Sequence, residues 1–247
     1  MFETGLVSIS FRQLSPRELA ALCAENQLHW IEWGSDVHAP CTDKERLSEI
    51  ISLQKEYGLG CSSYGTYFKL GVHDTQELFG YMQAAKALGT NILRLWCGGK
   101  NFEDMTAEER TFVISESKKA AAIAEQAQVV LCMECHNNTF TNRKEAAYML
   151  MQAVDSKHFR MYWQPNQYRT EEENLKYAAL LAPFTEHLHV FNWEGAEKHP
   201  LGAAVAQWQK YLACFPGDRC CLLEFMPDDR LESLAEEARA LKEIANG

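Results

Sequence analysis

The chain has only one Cys-x-x-Cys pair, Cys132-Met-Glu-Cys135, and it has no Gly-x-Gly-x-x-Gly after its first strand-like run, no cluster of Lys and Arg, and no long uninterrupted apolar run. Each absence removes a class of protein. Nine cysteines, odd in number and with no second Cys-x-x-Cys pair to complete a four-ligand set, argue against a zinc site and a disulfide framework. Cys61, Cys132, Cys220 and Cys221 lie in apolar stretches and read as reduced core thiols. The missing glycine fingerprint weakens the alternative of a doubly wound sheet with a dinucleotide site. The net charge of −10 would repel a phosphate backbone, so no nucleic-acid partner is expected. No segment approaches the roughly 18–20 apolar residues of a membrane span. The opening MFETGLVSISFRQL has neither the basic start nor the apolar stretch of a secretion signal. These features lead to the expectation of a soluble, cytoplasmic protein without a membrane partner. No Pro/Gly/Ser-rich linker interrupts residues 1–247, which are expected to form one domain.

What the sequence does contain is alternation. Short strand-like runs are each followed by a longer segment with helical spacing. The pairs are Leu6–Ser10 with Pro16–Glu25, Trp30–Trp33 with Lys44–Tyr57, Gly60–Tyr64 with Thr75–Leu88, and Ile92–Trp96 with Ala107–Gln126. They continue as Val129–Glu134 with Arg143–Val154, Phe159–Trp163 with Glu171–Leu181, His187–Phe191 with Ala203–Phe215, and Cys220–Phe225 with Leu231–Ile244. Cap residues fall where helices should start: Ser15 before Pro16, Thr42 or Asp43 before Lys44, and Thr106 with Glu109 three residues on. Eight βα units within 247 residues, 47% of them hydrophobic and 23% charged, predict an α/β fold, a closed (β/α)₈ TIM barrel.

In such a barrel the chemistry sits at the C-terminal ends of the strands. Polar residues are dense there. Glu32, Asp36 and His38 follow the second strand, Tyr64 and Tyr67 the third, and Arg94, Trp96 and Lys100 the fourth. Glu134, His136 and Asn137 close the fifth, Gln164 and Asn166 the sixth, His189 and Asn192 the seventh, and Glu224 the eighth. A carboxylate in a run such as Val-Val-Leu-Cys-Met-Glu134 is costly to bury without a partner, and Glu224 poses the same problem. Taken singly, a Glu at a strand end is ordinarily a salt-bridge partner and a lone His a satisfied core residue. Here Glu134, Gln164, His189 and Glu224 end four successive strands, so two carboxylates, an imidazole and an amide oxygen could share one cation. That donor set suits Mn²⁺ or Mg²⁺ first and Co²⁺ or Zn²⁺ second.

The segments Ile31-Glu-Trp-Gly-Ser-Asp-Val-His38, Leu93-Arg-Leu-Trp96, Tyr162-Trp-Gln-Pro165 and His189-Val-Phe-Asn-Trp193 carry a resemblance. Over nearly its whole length the chain resembles the xylose isomerase-like TIM barrels of the sugar phosphate isomerase/epimerase group. Those enzymes hold a metal with Glu, Asp, His and Glu from strands 5 to 8. The intervals of 30, 25 and 35 positions between Glu134, Gln164, His189 and Glu224 are similar to the group's. There are departures. Position 164 is Gln where the group usually has Asp, which removes one negative charge. Gln167 stands where many epimerases have a second His, and only Lys198 lies near the place of an Arg common after strand 7.

The resemblance implies a divalent-metal-dependent isomerase or epimerase of a small sugar or sugar derivative, working through an enediolate. Glu134 and Glu224 would be ligands and also base and acid, with His189 and Gln164 as ligands only. Substrate contacts are expected from His38, Tyr64, Arg94, Trp96, Lys100, His136, Asn166 and Trp193. A dehydratase of a keto-sugar or keto-polyol on the same site is the alternative, because it begins with the same proton abstraction. The neutral Gln164 also motivates a third reading, a carbohydrate-binding barrel without catalysis. Barrels of this group are often dimers or tetramers, which extends to this chain the expectation of a homo-oligomer.

Overall fold

The computed structural model describes all 247 residues. Eight parallel strands close into a barrel: β1 Phe2–Val7, β2 Trp30–Gly34, β3 Gly60–Leu70, β4 Ile92–Cys97, β5 Val130–Glu134, β6 Phe159–Trp163, β7 Thr185–Val190 and β8 Arg219–Leu223. Neighbours in space are neighbours in sequence, and β1 closes on β8 with Phe2 opposite Arg219 and Leu6 opposite Leu223. Eight α-helices follow: α1 Pro16–Glu25, α2 Lys44–Tyr57, α3 Leu78–Ala87, α4 Ala107–Ala127, α5 Lys144–Val154, α6 Glu171–Leu181, α7 Val205–Leu212 and α8 Leu234–Asn246. No helix is long and apolar enough to cross a membrane.

Local chemistry explains where the helices begin. Ser15 with Glu18, Thr106 with Glu109 and Thr170 with Glu173 form reciprocal capping boxes, and Asp43 caps α2 through the Arg46 amide. Each such cap is worth about 0.5–2 kcal/mol against an alanine. Gly58 ends α2 in the left-handed conformation at φ 67°, open to a glycine without steric cost.

β1 and β3 depart most from the sequence expectation, the other strands by two residues or fewer at either end. β1 starts at Phe2 and gives way at Ser8 to a 3₁₀ turn, because Phe2–Leu6 hydrogen-bonds in register with Arg219–Leu223. β3 runs on to Leu70, pairing Lys69 with Trp96 across a break in register after Gly65.

The period of two along each strand divides the side chains between two cores. The larger lies between the strands and the helices and contains residues such as Leu93, Leu131, Met161 and Leu223. The smaller fills the barrel with Val7, Ile9, Cys132, Tyr162, Cys220 and Leu222. Stepping two residues toward the C-terminal end from Cys132, Tyr162 and Leu222 gives Glu134, Gln164 and Glu224. The pleat that packs the barrel thus also places polar side chains in its top layer. All nine cysteines are free, and Cys61, Cys132, Cys220 and Cys221 are buried.

Candidate metal centre

Glu134 ends β5, His189 lies in β7 and Glu224 follows β8, its amide held by Val190 O at 3.0 Å. All three are buried, and one ligand atom from each falls within 4.8 Å of the others. His189 Nδ1 faces the mouth, 3.5 Å from Glu134 Oε1, 3.4 Å from Glu224 Oε2 and 3.0 Å from Gln164 Oε1. The other ring nitrogen, Nε2, turns to Glu32 Oε2 at 3.3 Å. Glu32 is the functional residue that sequence reasoning placed at the right strand end but left out of the site. The signal was present, since it is a carboxylate between Trp30 and Trp33 in an otherwise apolar strand.

Arg94 completes a ring of contacts. Its Nε donates to Glu32 Oε1 at 2.9 Å and its Nη1 to Glu134 Oε2 at 2.8 Å, with all three side chains buried. Gly65 makes the space: a Cβ there would stand 2.5 Å from Glu32 Oε1 and 2.8 Å from Arg94 Nη2. Trp96 Nε1 gives Glu134 Oε2 a second donor at 2.5 Å. Tyr162 packs its ring against His189, centroids 4.6 Å apart, and its hydroxyl lies 3.1 Å from Ser63 Oγ.

The electrostatics follow from these neighbours. Burial opposes charge on Glu32, but Arg94 and His189 outweigh it and hold the carboxyl at about 2. Burial likewise opposes charge on Glu134, and Arg94 and His189 bring it well below the ordinary carboxylate range. Burial would discharge His189, yet Glu224 and Glu32, with a hydrogen bond to Glu134, raise the imidazole to about 10. Glu224 is raised by its burial and by Glu134, with His189 pulling the other way. With His189 neutral, three carboxylates against one guanidinium leave two negative charges, the complement of a divalent ion.

The donor set fits such an ion. Glu134 Oε1, Glu224 Oε2 and Gln164 Oε1 are hard oxygens, and in the neutral ring Nδ1 would be the lone-pair nitrogen while Nε2–H is given to a carboxylate. Above the centre opens a cavity of about 710 Å³, lined by Glu134, His136, Gln164, Asn166, Trp193 and Glu224 among others.

The expected substrate contacts divide into two groups. His136, Asn166 and Trp193 border the cavity; Trp193 stacks with Phe191 at 4.9 Å and Phe225 at 5.7 Å. His38, Tyr64 and Lys100 do not reach it, because their polar atoms have partners elsewhere. His38 is buried between Ser8 Oγ and Leu14 O, at 3.1 and 3.2 Å. Tyr64 donates to Ala39 O at 2.5 Å, and Lys100 is bound to Glu109 at the surface. The guanidinium of Arg94 lies in the barrel wall beneath the cavity, and Trp96 reaches the site through Glu134. Lys198 pairs with Asp229 and lies over the Trp193 and Phe225 rings at 5.4 and 5.3 Å.

A closed eight-stranded barrel carries an acidic and imidazole donor set at its C-terminal mouth, a candidate metal centre on an α/β-barrel. The chain belongs to the xylose isomerase-like TIM barrel family, whose model matches residues 20–244. Similar solved structures cover nearly the whole chain at low identity. A probable 3-DHS dehydratase involved in petrobactin synthesis from Bacillus anthracis is 17% identical, with a TM-score of 0.78 over 98% of this chain and 99% of its own. A xylose isomerase-like TIM barrel protein from Mycobacterium smegmatis, in complex with magnesium, is 14% identical with a TM-score of 0.73 over 100% and 97%. A D-psicose 3-epimerase from Clostridium cellulolyticum, with D-tagatose, is 11% identical with a TM-score of 0.70 over 99% and 98%. A search of curated protein sequences gives no match.

Proposed function

We propose that this protein is a divalent-metal-dependent enzyme that moves a proton beside the carbonyl of a small sugar or sugar derivative, as an isomerase or epimerase. The observation that carries this is the convergence of Glu134, His189, Glu224 and Gln164 at the barrel mouth, with Nδ1 of His189 turned toward the other three and Nε2 tied to Glu32. A bound divalent ion, Mn²⁺ or Mg²⁺ by the hardness of the oxygens, would supply Lewis acidity to a carbonyl and its neighbouring hydroxyl.

The chain's own groups then bind, orient and move the proton. Glu32 orients the imidazole through Nε2, and Arg94 keeps Glu32 and Glu134 ionised. Glu134 and Glu224 flank the space where a substrate carbon would lie, and carboxylates are competent bases for a C–H made acidic by an adjacent carbonyl. Trp193 with Phe225 offers an apolar face to a sugar ring, while Asn166 and His136 offer polar contacts to hydroxyls. The magnesium complex of the Mycobacterium smegmatis protein and the D-psicose 3-epimerase support the reading.

A second reading, a dehydratase of a keto-sugar or keto-polyol, is supported by the likeness to the probable 3-DHS dehydratase. The test is a screen of neutral ketoses and keto-polyols with Mn²⁺-loaded protein. An isomeric product supports the first reading, and a product lighter by one water supports the second. Unchanged turnover in both Glu134→Gln and Glu224→Gln would contradict both.

A further inference from the structure

The two carboxylates at the mouth are held very differently. Oε2 of Glu134, the oxygen turned away from His189, already accepts from Arg94 Nη1 at 2.8 Å and Trp96 Nε1 at 2.5 Å. Both donors are themselves fixed. Arg94 is buried, with Nε on Glu32 at 2.9 Å and Nη1 also 3.4 Å from Thr66 O. The Trp96 indole is wedged between Tyr67, edge-on at 5.4 Å, and His136 at 5.1 Å. Glu134 therefore has one oxygen facing the metal centre and one whose lone pairs are occupied by strong donors. Glu224 has no such clamp. Its Oε2 lies 3.4 Å from His189 Nδ1, no side chain or amide donates a hydrogen bond to Oε1, and the group opens on the cavity.

We infer that Arg94 and Trp96 are positioning residues that fix Glu134 as a one-oxygen ligand, and that Glu224 alone carries the substrate proton, taking and returning it on one face. The inference rests on the proton-transfer reading above and narrows it. In the first step the C–H bond beside the carbonyl breaks, its proton goes to Glu224 Oε1, and its electron pair forms a C=C bond as the carbonyl pair moves onto oxygen. In an isomerisation Glu224 returns the proton to the former carbonyl carbon, and the hydroxyl proton crosses to the other oxygen. In a dehydration the carbonyl re-forms, a C=C bond forms to the β-carbon, and the departing hydroxyl takes the proton from Glu224 and leaves as water. Both outcomes restore ionised Glu224. Inversion at the carbon needs a proton from the opposite face, and the clamp withholds Glu134 from that task. The structure thus favours a same-face isomerisation or dehydration over epimerisation.

Two measurements test this. The first is a crystal structure with Mn²⁺ alone. It should show Glu134 binding through Oε1 while Oε2 stays on Arg94 and Trp96; Oε2 on the ion, or swung into the cavity, overturns the clamp. The second follows deuterium incorporation from D₂O by NMR, with D-fructose and dihydroxyacetone as probes at saturating Mn²⁺. The wild type should exchange deuterium without forming an epimer. Glu224→Gln should slow exchange by about 10³-fold, since loss of a general base costs on the order of 10²–10⁴. Epimer formation, or a loss of less than about tenfold in Glu224→Gln, overturns the inference. Absence of exchange by the wild type with either probe would count against the proton-transfer reading itself, and the Mn²⁺ structure would still decide the clamp.

Discussion

His189 and Glu32 stand on β7 and β2, three strands apart around the barrel, and meet with Nε2 3.3 Å from Oε2. That contact fixes which nitrogen carries the N–H in the neutral ring and turns Nδ1 to the mouth, where Glu134, Glu224 and Gln164 converge. Glu32 would thereby tune a metal it never touches. Glu32→Gln keeps the shape and removes the charge, and should weaken Mn²⁺ binding by about 10–100-fold, the usual cost of losing such a supporting carboxylate. Calorimetric titration of the metal-stripped variant checks it.

Arg94 neutralises two buried carboxylates at once. Replacing it by Met leaves Glu32 and Glu134 with only the His189 imidazolium as counter-charge, which should cost about 3–5 kcal/mol of stability. The double variant Arg94→Met/Glu32→Gln should recover part of that loss, because one of the stranded charges is gone. Urea denaturation of the metal-free proteins measures both; equal midpoints for wild type and Arg94→Met would refute the ion-pair account.

The pH dependence has opposite signs with and without metal. The folded protein raises His189 to about 10, from about 6.5 in an unfolded chain. Its contribution to the stability of the metal-free protein is therefore complete below about pH 6.5 and is lost as the pH rises through about 10. A metal ligand must be neutral, so ion binding displaces that proton and strengthens with pH, approaching tenfold per unit in this window. Melting temperatures of the metal-free and Mn²⁺-loaded protein should diverge from pH 6.5 toward 10, and His189→Asn should abolish the slope of the metal-free form.

How far the sequence carried the site is clearest at these residues. The barrel was legible because hydrophobic runs and capped helices alternate eight times, and capping depends on neighbours a few positions apart. The positions of Glu134, Gln164, His189 and Glu224 were legible because each ends a strand of known order. The roles of Glu32 and Arg94 were not, because their pairing spans 62 positions and depends on the space left by Gly65. The same limit applies to His38, Tyr64 and Lys100. They stand near the correct strand ends, but local partners (Ser8 and Leu14, Ala39, Glu109) draw them away from the cavity.

Gln164 is the neutral corner of the centre, its Oε1 3.0 Å from His189 Nδ1. Gln164→Glu has the same reach and adds a charge to the donor set. It should tighten Mn²⁺ binding by about tenfold, since ligand charge count tunes affinity at oxygen-rich sites. A competition assay against a chelator of known affinity reads the change, and weaker binding would place position 164 outside the ligand shell.

The claim on which the rest depends is that Glu134, His189 and Glu224 hold one divalent ion. Titration of metal-stripped protein with Mn²⁺ by calorimetry tests it most directly. The account predicts one ion per chain, with affinity falling by at least about 100-fold in His189→Ala, since a first ligand should matter no less than its supporting carboxylate. No binding by the wild type, or binding by His189→Ala as tight as the wild type's, would contradict it.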